Sequence, residues 1–139
     1  MKLYLDANTI IYGVEGVPGW RDGVTHWTAQ VDAGAGLLIT SKLSRLECRV
    51  LPLRQNNQAL LSTFDAFFSR DNLVLLDISG DVLEQATDLR ARYRFRTPDA
   101  IHLATAVLIG ADVFLTGDDD LKRCTEVRVE IVTAAGPTQ

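Results

Sequence analysis

The chain has 139 residues, 47% hydrophobic and 23% charged, a composition that suits one globular domain with its own core and excludes wholesale disorder. Its 14 basic and 18 acidic residues leave a net charge of −4, which excludes a protein that coats nucleic acid through bulk positive charge. The same balance permits a protein that cleaves nucleic acid through a bound metal.

Cys48 and Cys124 are too few for a disulfide framework and lack metal-ligand spacing. His26 and His102 are likewise too few for a zinc site. The N-terminus opens on a strand pattern with no signal peptide ahead of it. The longest apolar run, Leu103 to Ala111, falls far short of the roughly 20 residues that span a bilayer. A reducing, cytoplasmic setting with no membrane partner is expected.

In chain order, Leu3-Tyr-Leu reads as a buried strand closed by Asp6, followed by a short helix from Ala7 to Gly13. Gly13, Gly16, Pro18, Gly19 and Gly23 mark a loop. A helix over Val24 to Asp32 precedes a second strand, Leu37 to Thr40. Ser41 caps a helix that runs to about Leu51, where Pro52 breaks it. Gln58 to Phe68 is helical, and Leu73 to Leu76 is a third strand. Ser79 caps a helix from Gly80 to Tyr93; Thr97 caps and Pro98 starts another, ending near Ile109. Val113 to Thr116 is the fourth strand, Asp118 to Arg123 a short helix, and Val127 to Val132 the last strand. The pattern predicts a single domain over 1–133 with a loose tail at 134–139.

Strands separated by helices imply crossovers, hence an α/β fold whose mainly parallel sheet is covered on both faces. Ligands of such sheets bind beyond the carboxyl ends of the strands. Asp6 and Asp118 fall there.

Four carboxylates stand at informative places: Asp6, Glu47, Asp99 and Asp118. Asp6 also suits a plain helix cap, and Asn8, two residues on, suits either a supporting hydrogen bond or an ordinary turn. Glu47 occupies the i+4 slot of a stripe made by Leu43, Leu46 and Val50, with Lys42, Arg45 and Arg49 on another face. A charge pointing inward there costs several kcal/mol unless paired or metal-bound. Asp99 lies in the first turn of a nearly apolar helix, where an acid also simply complements the dipole. His102 follows at i+3, as a ligand, a base or a packed, hydrogen-bonded histidine. Asp118, Asp119 and Asp120 are consecutive; Asp118 is nearest the strand end and Asp120 is a substitute ligand. The hydroxyl of Thr116 is placed to orient a water or phosphate, though a β-branched residue is ordinary in a strand. Arg90, Arg92, Arg94 and Arg96 interleave with Tyr93 and Phe95, a composition that fits phosphate contact and base stacking as well as a solvated helix end.

Together these residues resemble the PIN domain family, and within it the VapC-like toxin ribonucleases. The resemblance is carried by Leu3-Tyr-Leu-Asp6-Ala-Asn8-Thr-Ile-Ile-Tyr12, Ser44-Arg-Leu-Glu47, Thr97-Pro-Asp99-Ala-Ile-His-Leu-Ala-Thr-Ala106 and Phe114-Leu-Thr116-Gly-Asp118-Asp-Asp-Leu121. The segments span almost the whole chain in the family's order. The resemblance implies a three-layer α/β/α sandwich with about five strands, a Mg²⁺- or Mn²⁺-dependent endoribonuclease, a homodimer and an antitoxin partner. It implies Asp6, Glu47, Asp99 and Asp118 as metal-binding and catalytic acids, with Asn8 and Thr116 as supporting groups. The sequence departs from the commoner family pattern at Gly117 and in the triple-Asp run, which leaves Asp118 and Asp120 as alternatives.

Clustered carboxylates repel one another, and oxygen-only ligands favour Mg²⁺ or Mn²⁺. The expected chemistry is metal-assisted hydrolysis of an RNA phosphodiester. Two other classes compete. A phosphatase-like domain would want a second Asp at position 8 and a later lysine, yet the lysines are Lys2, Lys42 and Lys122. A receiver-like domain could use Asp77 but lacks a lysine after the last strand. The other class is a binding module that keeps the fold without catalysis.

Overall fold

A computed structural model describes residues 1–132. Five strands, β1 (Lys2–Leu5), β2 (Leu37–Ser41), β3 (Leu73–Leu76), β4 (Val113–Thr116) and β5 (Val129–Ile131), form one sheet in the order β3-β2-β1-β4-β5. All four pairings are parallel. The helices are α1 (Ala7–Glu15), α2 (Trp20–Ala33), α3 (Lys42–Arg54), α4 (Gln58–Phe68), α5 (Gly80–Tyr93) and α6 (Thr97–Ile109), with a 3₁₀ turn over Asp119–Arg123.

The central strand explains the arrangement. Leu3, Tyr4 and Leu5 are all fully buried, as expected of a parallel strand covered on both faces. Alternation sends Leu3 and Leu5 to one side, where they pack with Leu38, Val113 and Leu115 beneath α1 to α4. Tyr4 faces the other side, with Ile39 and Phe114 beneath α5 and α6. Tyr4 and Phe114, paired in register, stack with centroids 5.1 Å apart. The result is the expected three-layer sandwich.

Several boundaries differ from expectation. The glycine-rich stretch is mostly helix. The first helix extends to Glu15 and ends at Gly16, whose φ of 66° is the left-handed cap glycine adopts without strain. The second begins at Trp20 and buries Gly23 and Val24, so the loop shrinks to residues 16–19. Pro52 does not break α3; it lies buried in the last turn, and the helix continues to Arg54. Arg96, not Thr97, precedes α6, with Pro98 in the first turn. The last strand covers only Val129–Ile131. The expectation for the tail at 134–139 lies outside the described residues.

The stripe assigned to α3 is also corrected. Leu46 is 60% and Val50 42% exposed, and the buried residues are Ser44, Cys48 and Pro52. Small side chains bring this helix close to α1, where the Cys48 thiol lies 3.8 Å from the Ala7 carbonyl. Arg45 and Arg49 are not simply solvated; both reach Asp65 of α4, at 2.8 and 3.1 Å.

Candidate active site

Asp6 is the most tightly held of the candidate acids. It follows β1 with extended backbone (φ −79°, ψ 172°) and caps α1. One carboxylate oxygen, Oδ1, accepts from the Thr9 amide at 3.0 Å and the Thr9 hydroxyl at 2.7 Å. The other, Oδ2, accepts from the Thr116 hydroxyl at 2.6 Å. This contact follows from the sheet: Leu5 pairs with Leu115, so the next residues of the two strands face each other past the ladder. Thr9 is fully buried and was not singled out from the sequence, although an Asp N-cap bonds the amide two or three residues on.

The Thr116 hydroxyl also accepts from the Asp118 amide at 3.1 Å, which ties the turn after β4 to Asp6. Asp118 caps the 3₁₀ turn, accepting from the Asp120 amide at 3.0 Å. Asp120 itself turns away and forms a double hydrogen bond with Arg123, at 2.7 and 2.9 Å. That guanidinium holds the Asp120 carboxyl below the usual range. Asn8 is exposed, and its side chain makes no hydrogen bond among the described residues.

Asp99 projects from the first turn of α6 with its side chain 22% exposed. Burial, then the negative charges of Asp118 and Asp6, push its pKa up, although Arg96 at 3.4 Å acts the other way. Tyr12 feels the same field: burial and the charges of Asp6 and Asp118 raise its hydroxyl. Its ring stacks on Trp20 at 4.7 Å, and a Cβ at Gly117 would meet Tyr12 at 3.0 Å. Only glycine lets the turn after β4 approach this aromatic pair so closely.

Glu47 points inward, as expected, but finds a different partner. Its Oε1 lies 2.7 Å from Nε2 of His102, whose Nδ1 lies 2.7 Å from the Tyr4 hydroxyl. Of the readings open for His102, the structure supports the packed, hydrogen-bonded one. Burial, then the charges of Glu47, Glu15 and Asp6, push the neighbouring Cys48 thiol up to about 12, so it stays protonated and inert. Glu15 was not among the expected acids; its place at the end of α1 gave no signal in the sequence.

The four acids therefore surround the carboxyl ends of β1 and β4 rather than converge on one point. Among the described residues, no three His, Cys, Asp or Glu side chains lie close enough to hold an ion by themselves. The donor set nevertheless suits a hard divalent cation. It is dominated by carboxylate and hydroxyl oxygen, and the charges of Asp118 and Asp6 add to burial in raising the Asp99 carboxyl. A cation that keeps several of its waters needs only one or two direct carboxylates, which is the habit of Mg²⁺.

The arginine series is largely committed elsewhere. Arg90 donates to the Phe95 carbonyl at 2.9 Å, and Arg92 binds Asp88 and Glu126 at 2.7 and 2.6 Å. Arg94 caps α5 in the left-handed region at φ 61° and is exposed. Arg96, with 83% of its side chain exposed, is the one member beside a candidate acid. No helix among the described residues is long and apolar enough to cross a membrane.

A family model for the PIN domain matches residues 3–127. No curated protein matches the sequence significantly. Among solved structures, VapBC2 from Rickettsia felis bound to a promoter DNA fragment superposes with a TM-score of 0.79 at 18% identity, over 94% of this chain and 98% of that one. DNA-bound VapBC from Salmonella typhimurium gives 0.72 at 19% identity, over 96% and 99%. VapC20 of Mycobacterium tuberculosis, a toxin that cleaves the sarcin–ricin loop, gives 0.69 at 17% identity, over 91% and 98%. These identities carry the likeness of fold alone. The family match spans nearly the whole sequence, and on that ground the chain belongs to the PIN domain family.

Proposed function

We propose that this protein is a divalent-metal-dependent endoribonuclease that hydrolyses RNA phosphodiester bonds, and that it is the toxin of a toxin–antitoxin pair. The observation that carries the reading is Asp6. A buried carboxylate at the end of the central strand is held by three hydroxyl and amide donors and, among the described residues, pairs with no basic side chain. Nothing in a purely structural role requires an acid there, because a serine or asparagine caps a helix as well. Family membership and the match to solved VapC structures support the same chemistry.

In this reading Asp6, Asp99, Asp118 and Glu47 hold Mg²⁺ or Mn²⁺, some of them through water. The bound ion supplies charge neutralisation and Lewis acidity for the scissile phosphate and the attacking water. The residues around it do the positioning. Thr9 and Thr116 fix both oxygens of Asp6, so that carboxylate needs no reorganisation when substrate arrives. The Thr116 hydroxyl, by accepting from the Asp118 amide, sets the spacing between the two strand-end acids. Arg96 and Arg94 offer exposed charge for the RNA backbone, whereas Arg90 and Arg92 are occupied within the protein.

The partner assignment rests on fold likeness to VapBC assemblies and on the surface. Leu46, Val50, Leu51 and Leu53 of α3, and Leu83 and Leu108 of α5 and α6, are 42–60% exposed. Apolar surface of this kind suits a homodimer contact and an antitoxin segment.

Digestion of RNA with and without EDTA, alongside calorimetric titration with Mn²⁺, tests the proposal. Metal uptake with EDTA-sensitive cleavage is expected. Partner binding with neither uptake nor cleavage would replace it by the non-catalytic module.

A further inference from the structure

We propose that His102 is a positioning residue for Glu47: a buried donor chain from Tyr4 through His102 fixes one oxygen of the Glu47 carboxylate and leaves the other available to a divalent cation. This deepens the metal-nuclease reading and rests on it for the role of Glu47.

The chain crosses three elements. Tyr4 comes from the centre of β1, His102 from α6 and Glu47 from α3. Tyr4 is fully buried and His102 is 3% exposed. The Tyr4 ring is clamped face-on by Phe114 at 5.1 Å and meets the imidazole edge-on at 5.9 Å. Both contacts of the imidazole are 2.7 Å, within the range of good hydrogen bonds.

The donor inventory assigns a direction. An ionised carboxylate only accepts, so Nε2 carries the proton that points at Glu47. In the neutral ring Nδ1 is then an acceptor and receives the Tyr4 hydroxyl proton. A phenol keeps its proton at neutral pH, so at 2.7 Å from Nδ1 it is the donor of this pair. Polarity thus runs one way, from the sheet core to the carboxylate.

Glu47 needs such a strut. Its side chain is 32% exposed, and the charges of Glu15 and Asp6 reach Cys48, the next residue along α3. Repulsion and side-chain entropy both favour swinging outward. Among the described residues, His102 is the donor that Glu47 has, at Oε1, and Oε2 accepts no hydrogen bond.

The test is Mn²⁺ calorimetry on the full chain and on His102→Phe, His102→Gln, Tyr4→Phe, Glu47→Gln and the double variant His102→Phe/Glu47→Gln, with thermal melts for each. Expected for His102→Phe is a loss of Mn²⁺ affinity of about 10–100-fold. His102→Gln, whose amide donates to a carboxylate, recovers most of it, and Tyr4→Phe falls between. In the Glu47→Gln background the Phe substitution has no further effect on Mn²⁺. Nitrogen-15 NMR of the unsubstituted protein should find the proton on Nε2, a readout that does not require any variant to fold. Mn²⁺ affinity unchanged in folded His102→Phe and His102→Gln, or a neutral ring protonated on Nδ1, would overturn the positioning role alone. Absence of Mn²⁺ uptake by the unsubstituted protein would overturn both this role and the metal-nuclease reading.

Discussion

Two groups of acidic side chains in this molecule are treated in opposite ways. At the outer edge, around α5 and the 3₁₀ turn, Asp88 and Glu126 share Arg92, and Asp120 takes Arg123. At the ends of β1 and β4, Asp6 is met by hydroxyls and an amide, Glu47 by a histidine, and Asp99 by one highly exposed arginine at 3.4 Å. The outer acids are neutralised inside the protein. The inner ones are oriented but left with their charge. The difference teaches that hydrogen-bond donors can fix a carboxylate without satisfying its electrostatics, which is what a cation-binding site requires.

The contrast is broken most directly at its centre. Asp6→Asn keeps the cap hydrogen bond and removes the charge, so the protein should fold while RNA cleavage falls by at least about 100-fold. Undiminished cleavage in a folded variant would end the assignment. Next come the donors. Thr116→Val should lower Mn²⁺ affinity or activity by about 10–100-fold. It should also cost about 1–3 kcal/mol in denaturant unfolding, because a buried oxygen of Asp6 loses its partner. Thr9→Val leaves the amide in place and should do less of both.

Asp99 sharpens the comparison through pH. Burial, then the charges of Asp118 and Asp6, raise its pKa above the usual 3.8. The folded chain therefore binds that proton more tightly than the unfolded chain. The stability this group contributes is fullest at low pH and is lost as pH climbs through the carboxylate range. Asp99→Asn should remove that slope, raise the melting temperature at neutral pH by a few degrees and abolish activity. Equal melting of both proteins at pH 7 would argue against a destabilising burial of the Asp99 charge. The smallest effect belongs to the outer edge: Arg92→Ala and Arg123→Ala, at exposed pairs, should leave activity intact and the melting temperature nearly unchanged.

Much of this frame was legible in the sequence because parallel strands are apolar on both faces. Leu3-Tyr-Leu and Val113-Phe-Leu announced themselves, and their ends located Asp6 and Asp118. Helix α3 was misread for a matching reason. Leu46, Leu51 and Leu53 face outward and the small Ser44 and Cys48 face in, so an apolar count selected the wrong side. Glu47 was correctly suspected of pointing inward, yet from the wrong stripe. His102 was seen, but its two partners lie 55 and 98 residues away in sequence, and no local pattern joins them. The arginine series looked like one surface. Folding separated it, because two of its members found acceptors at Glu126 and Phe95 that spacing could not foresee.

Helix α3 carries Glu47 on its inner flank and the outward leucines Leu46, Leu51 and Leu53 on the same rigid rod. Whatever seats against those leucines has mechanical leverage on the carboxylate. The seating of that rod also sets where Glu47 meets His102, at 2.7 Å. An apolar surface open to a partner and a carboxylate of the candidate site therefore lie on one helix, back to back.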